Sequence, residues 1–132
     1  MTVIDRISWL CLREGKLLAV RSKGKTAWYI PGGKREPGET DTETLIREVR
    51  EELKVAILPE TVRLYGVFEG PAHGKPEGTT VRLSCYTADY RGELTPDSEV
   101  EELRWMSMAD REIFPPADVQ IYEDLHRRGY LD

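Results

Sequence analysis

The sequence predicts an α/β (α+β) fold in which a mixed β-sheet is sandwiched between α-helices, and three observations carry that expectation. Short apolar runs of strand-like composition recur along the chain, one strongly periodic helix interrupts them near the middle, and a second helix closes the C-terminal end. At 132 residues the chain suffices for one hydrophobic core rather than two, so a single domain over residues 1–132 is expected.

Residues 5–13 (DRISWLCLR) and 16–22 (KLLAVRS) read as two strands of a hairpin turning at Glu14 and Gly15. The short AWYIP segment, residues 27–31, adds a third strand. From Thr40 to Lys54 the period becomes helical: Thr40 and Glu43 form a capping box, and Leu45, Ile46, Val49 and Leu53 recur at helical spacing. Residues 62–69 and 81–90 read as strands around the loop GPAHGKPEGT, and EELRWMS, residues 101–107, as another. In ADVQIYEDLHRRG, residues 117–129, Val119, Tyr122 and Leu125 share one helical face and Gly129 stops the helix.

Composition excludes several classes of function. Hydrophobic residues make up 39% and charged residues 33%, the balance of an ordinary globular chain, and no apolar run is long enough to span a membrane. The N-terminal MTVIDRISWL shows no basic region followed by an apolar stretch, so no secretory signal is expected. Cys11 and Cys85 both fall in apolar strands and read as buried free thiols, which fits a cytoplasmic location. A net charge of −5 and a pI of about 5.2 disfavour stable binding to nucleic acid but allow a small phosphorylated ligand. No internal repeat, low-complexity tract or linker is visible.

Residues 31–55, PGGKREPGETDTETLIREVREELKV, concentrate the chemistry. A helix advances about 100° per residue, so Leu45, Ile46 and Leu53 fall within roughly 60° of Val49 and form the buried stripe. Glu52, Glu48 and Glu51 then lie at about −60°, −100° and −160°, on one neighbouring sector. A solvated acidic face is the simple alternative. However, like charges at this spacing repel by a few tenths of a kcal/mol per pair. Only Arg47 and Arg50 stand near enough to offset them. Clustered hard oxygens suit Mg2+, or Mn2+ in its place, and such a cation would reverse the sign of that energy. Gly32 and Gly33 let the main chain approach a ligand just before this helix, and Glu36-Pro37-Gly38-Glu39 reads as a turn.

From Gly33 the chain runs five residues to Glu39, seven more to Arg47-Glu48, then Val49, one residue, Glu51-Glu52, one residue, Lys54 and Val55. This resembles the signature box of the Nudix hydrolases, and its six fixed residues would coincide by chance on the order of once in ten million starting points. The resemblance implies the Nudix fold and a divalent-cation-dependent pyrophosphohydrolase of nucleoside diphosphate-linked substrates. It assigns the cations to Glu48, Glu51 and Glu52 with the Gly33 carbonyl, and gives Arg47 and Glu39 the task of orienting those carboxylates. Lys54 stands where the family has glycine. A left-handed residue there costs about 1 kcal/mol without glycine, so a remodelled helix end is expected.

WYIPGGK and the Phe114-Pro115-Pro116-Ala117 segment resemble the mutator-type (MutT-like) nucleoside triphosphate pyrophosphohydrolases, which implies a (d)NTP or oxidised (d)NTP substrate cleaved to the monophosphate and pyrophosphate. Glu99, six residues before Trp105, then matches a catalytic base, with a solvated glutamate as the alternative. Asp118 stands where the subfamily commonly has a base-reading asparagine. As an ionised acceptor it would favour a purine edge offering N–H donors, and the alternative is a helix cap. Arg21 matches a basic substrate contact of that subfamily and Lys34 adds a second cation beside the glycine loop; either would neutralise phosphate, each against a plain surface charge. Trp28 and Tyr29 offer stacking rings or core aromatics, and His73 lies in a glycine-rich loop near which a substrate would pass. Pro71, sixteen residues beyond Val55, keeps ADP-ribose as a second substrate reading. A nucleotide-binding regulatory module without turnover is the non-enzymatic alternative. A homodimer is left open, as many relatives pair.

Overall fold

Two β-sheets share both hydrophobic cores of the protein, and the alternation of side chains along their strands decides which core each residue enters. The computed structural model describes residues 2–72 and 74–132, so His73 lies outside the described residues. The strands are β1 (Thr2–Trp9), β2 (Leu12–Arg13), β3 (Lys16–Ser22), β4 (Trp28–Tyr29) and β5 (Gly32–Gly33); then come helix α1 (Asp41–Leu53) and β6 (Ala56–Ile57). The chain continues through β7 (Arg63–Pro71), β8 (Thr79–Thr87), β9 (Tyr90–Arg91) and β10 (Val100–Met106) to helix α2 (Pro116–Arg127). One sheet has the order β5-β1-β8-β7; the second has β10-β3-β2 with β4 beside β3; β6 and β9 form a small ribbon. β1 runs parallel to β8 while the other pairs are antiparallel, so the sheet is mixed.

Ile7 and Trp9 of β1 and Leu18 and Val20 of β3 pack with Leu45, Val49 and Leu53 of α1. The alternate residues Leu17 and Ala19 of β3, with Leu83 and Cys85 of β8, pack with Ala117, Ile121, Tyr122 and Leu125 of α2. The expected helix-sheet-helix arrangement is therefore present. Burying each Leu or Val is worth about 1.5–3 kcal/mol, several times the repulsion within a glutamate pair, so the apolar stripe decides how α1 is oriented.

The Glu14-Gly15 hairpin is present, with both residues at positive φ and Arg13 paired to Lys16. The expected single strand over residues 5–13 is instead split between the two sheets. Leu10 N–H donates to the Tyr86 carbonyl while the Cys11 carbonyl accepts from Leu18 N–H, so this dipeptide passes the chain from one sheet to the other. The strand expected over 81–90 also breaks, and Tyr90 pairs with Ile57 of β6. On α2, Tyr122 and Leu125 are buried as expected, but Ile121 is buried with them and Val119 is only half-buried.

α1 starts and stops where the sequence indicates. The Thr40 side chain accepts from Glu43 N–H at 3.2 Å, and the Glu43 carboxylate accepts from Thr40 N–H at 2.9 Å. Lys54 holds the left-handed cap itself, at φ 59° and ψ 25°, with its N–H donating to the Arg50 carbonyl. The remodelled end is thus not found: the protein keeps the glycine geometry with a lysine and carries the strain.

Candidate active site

β5 lies close against its neighbours, and at Gly32 only glycine fits. Gly32 has φ 145°, and a Cβ there would stand 1.9 Å from the Ile7 carbonyl oxygen; a Cβ on Gly33 would stand 2.5 Å from Oε1 of Glu48. The absent side chains bring the main chain against the acidic face of α1. Gly32 N–H donates to Oε1 of Glu52 at 3.0 Å, and the Tyr29 hydroxyl, 3.1 Å from Ser22 Oγ, donates to Oε2 of Glu52 at 3.5 Å.

Arg47 organises the acids on the other side. Its guanidinium donates to Glu39 at 2.7 and 2.9 Å, to Oε1 of Glu48 at 3.0 Å and to the Lys34 carbonyl at 3.1 Å, and it pairs with Glu36 at 2.8 Å. Glu39 also accepts from Glu36 N–H and the Thr44 hydroxyl. Hydrogen bonds from Arg47, reinforced by the Glu36 amide, bring the Glu39 carboxyl down to about 2, so it stays ionised.

The three glutamates of α1 differ in exposure. Glu48 is half-buried, Glu51 is exposed and leans toward Arg47 at 3.6 Å, and Glu52 is the most enclosed. Burial first, and the Glu48 charge after the opposing Gly32 hydrogen bond, push the Glu52 carboxyl up to about 8. Burial likewise raises Glu48, with Arg47 opposing.

These groups border a cleft of about 640 Å³ that also receives Lys34, Glu99, Lys75, Arg6 and Asp118. Asp118 is 8% exposed and occupies the third helical position of α2, while the N-cap is Pro115, so the cap alternative does not hold. Burial pushes its carboxyl up to about 6 against the opposing charge of Arg6 and its own backbone amide.

Two expected substrate contacts do not line the cleft. Arg21 sits opposite Glu102 and Trp28 in the strand register and donates to Glu102 at 2.9 and 3.1 Å, so strand alternation points it away while its neighbour Ser22 faces the cleft. Trp28 is 9% exposed and belongs to the core beside α2, with the Arg104 guanidinium 4.9 Å from its ring centre. Tyr29 lines the cleft instead. Arg6 was missed: in DRISWL it reads as an ordinary strand cation. Its alternation with the buried Ile7 and Trp9 is the signal that places it on the opposite face.

Among the described residues no three His, Cys, Asp or Glu side chains already converge on one point, because Glu51 turns to Arg47 and Glu52 to the Gly32 amide. The donor set nonetheless fits Mg2+ or Mn2+: it consists of hard oxygens on one rigid helix, and without a side chain Gly33 lies directly against the Glu48 carboxylate. Glu51, being exposed, reorients at little cost. No helix among the described residues is long and apolar enough to cross a membrane.

The mixed sheet, the glycine strand and the carboxylate-lined cleft define a hydrolase of phosphoanhydride bonds. The chain belongs to the NUDIX domain family, whose sequence model matches residues 3–126. It is 31% identical over 120 residues to the Nudix hydrolase YvcI of Bacillus subtilis (strain 168), covering 89% of this chain and 75% of that protein. It is 28% identical over 130 residues to the CTP pyrophosphohydrolase of Escherichia coli (strain K12), covering 93% of this chain and 91% of that protein. The solution structure of the E. coli ORF135 protein superposes with a TM-score of 0.74 at 26% identity, covering 100% of this chain and 96% of that one. The protein is therefore a Nudix pyrophosphohydrolase acting on nucleoside diphosphate derivatives, and enzymes of this family generally use a divalent metal, usually Mg2+.

Proposed function

We propose that the enzyme hydrolyses a (d)NTP, or an oxidised (d)NTP, to the nucleoside monophosphate and pyrophosphate with Mg2+, Mn2+ serving as a substitute. The observation that carries this reading is that α1 and α2 bring acids of different character to one cleft: Glu48 and Glu52 beside the glycine strand, and the isolated, buried Asp118. The first set suits cation-bound phosphates and the second suits a base.

In this reading Glu48, Glu51, Glu52 and the Gly33 carbonyl hold the cation. Arg47 and Glu39 fix the carboxylates, and Lys34 faces the outer phosphates. The cation, when bound, neutralises phosphate charge and acidifies the attacking water. Glu99, which lines the same cleft, takes that water's proton as oxygen attacks phosphorus and the bond to the pyrophosphate leaving group breaks. Asp118, ionised at neutral pH, accepts from N–H groups of the base. Cytosine's amino group qualifies as well as a purine's, in keeping with the name of the E. coli CTP pyrophosphohydrolase. Both free, buried thiols are compatible with a reducing cytoplasm.

The test is release of phosphate and pyrophosphate with Mg2+ or Mn2+ across (d)NTPs, oxidised dGTP, ADP-ribose, dinucleoside polyphosphates and nucleotide sugars. Pyrophosphate from a triphosphate is expected. Glu52→Gln, which keeps the shape and removes the carboxylate that a cation would bind, should lose turnover by several decades with its circular dichroism unchanged, and Asp118→Asn should reorder the bases. Turnover confined to ADP-ribose would overturn the triphosphate reading; Pro71, its support in the sequence, is exposed at the end of β7 and does not line the cleft.

A further inference from the structure

Among the described residues, Arg6 is the one half-buried arginine without a hydrogen-bond or ion-pair partner. Arg21, Arg47, Arg82 and Arg111 are all engaged, through Glu102, Glu39, Glu69 and the Met108 carbonyl. The Arg6 donors face the water-filled cleft and remain available to a ligand that enters it. Arg6 opens into the cleft, and its position on β1 adjoins Ile7, the register partner of Gly33. Its charge also acts on Glu48, Glu52 and Asp118. In the sheet β1 lies between β5, which abuts Glu48, and β8, which packs with α2, so Arg6 stands between the two acidic groups that the cleft keeps apart.

We propose that Arg6 grips the phosphate nearest the nucleoside, a contact with phosphate of the kind the sequence had suggested for Arg21. A nucleotide with its base at Asp118 and its outer phosphates beside Glu48 and Glu52 must pass Arg6, and the part of it lying there is the first phosphate. The planar fork of a guanidinium matches two oxygens of one phosphate, whereas Lys34 supplies only a point charge. Glu48 and Glu52 do not compete for Arg6 by direct contact, since Arg47 and the Gly32 amide already hold them. The inference rests on the nucleotide reading of the cleft given above.

The experiment is an NMR titration, without metal, of the protein with cytidine and guanosine and with their 5′-monophosphates. Wild type should bind the monophosphates about 10- to 100-fold tighter than the nucleosides, the range of one charge-assisted fork. Arg6→Gln should shrink that ratio to within about threefold while leaving nucleoside affinity unchanged. Arg6→Lys, the gentler change should Arg6→Gln fold poorly, keeps the charge without the fork and should lose part of the ratio. Arg21→Gln should keep all of it. A wild type indifferent to the phosphate, an Arg6→Gln protein that retains the ratio, or equal weakening of nucleoside and nucleotide would each overturn the assignment. Turnover of ADP-ribose instead of triphosphates would refute the substrate reading separately and leave this binding ratio as it is.

Discussion

Asp118 shows how burial of a single acid reaches both stability and specificity. Its folded pKa of about 6 lies above the ordinary 3.8, so between those values the folded chain binds more protons than the unfolded one. Stability from this group is complete below 3.8 and is lost as pH rises through about 6. The rise from 3.8 to about 6 corresponds to about 3 kcal/mol once Asp118 is ionised. Asp118→Asn should therefore be more stable than wild type at neutral pH, and the gap should close toward about pH 4, measured as urea midpoints across that range. A gap independent of pH would show that the carboxylate is already satisfied. The sequence made Asp118 visible through its place after Phe-Pro-Pro-Ala, but not its burial, which depends on how α2 docks. The same limit misdirected Arg21 and concealed Arg6: a charged residue in a strand is assigned to a face only when the strand's partners are known.

At the scale of the element, α1 was the most legible part of the chain, since its cap, its apolar stripe and its acidic sector are all local patterns. Lys54 is where local reasoning gave the wrong outcome. Its cost was anticipated, yet the chain accepts the left-handed cap because Leu53 and Val55 on either side are fixed in the core. Lys54→Gly should relieve about 1 kcal/mol and raise the melting temperature by roughly 3–6 °C, with turnover unaffected because the acids proposed to hold the cation lie upstream. An unchanged melting temperature would mean that glycine's extra freedom in the unfolded chain cancels the relief. At β5 the two glycines were legible as a place where the main chain approaches a ligand, but not which neighbours they approach: one lies against the Ile7 carbonyl and the other against Glu48.

At the scale of the whole molecule, the alternation of apolar residues indicated helices on both sides of a sheet but not how that sheet is joined. Pairing β1 with β8 brings Thr2 beside Thr79 and Trp9 beside Tyr86, a long-range parallel register that no local pattern encodes. The break at Leu10 and Cys11 has the same origin, since only the second sheet explains why the strand changes partners there. The two cores consequently share β3 and β10, and Cys11 lies in one while Cys85 lies in the other. Burial pushes the Cys11 thiol up to about 12 and raises that of Cys85 as well, so neither is a competent nucleophile in the folded chain. Each sulfur is thus a built-in clock for the opening of its own half. If the shared strands make unfolding one event, mass-resolved alkylation should modify both cysteines at a common rate. A Cys11 that reacts well before Cys85 would reveal that the half beneath α1 breathes independently of the half beneath α2.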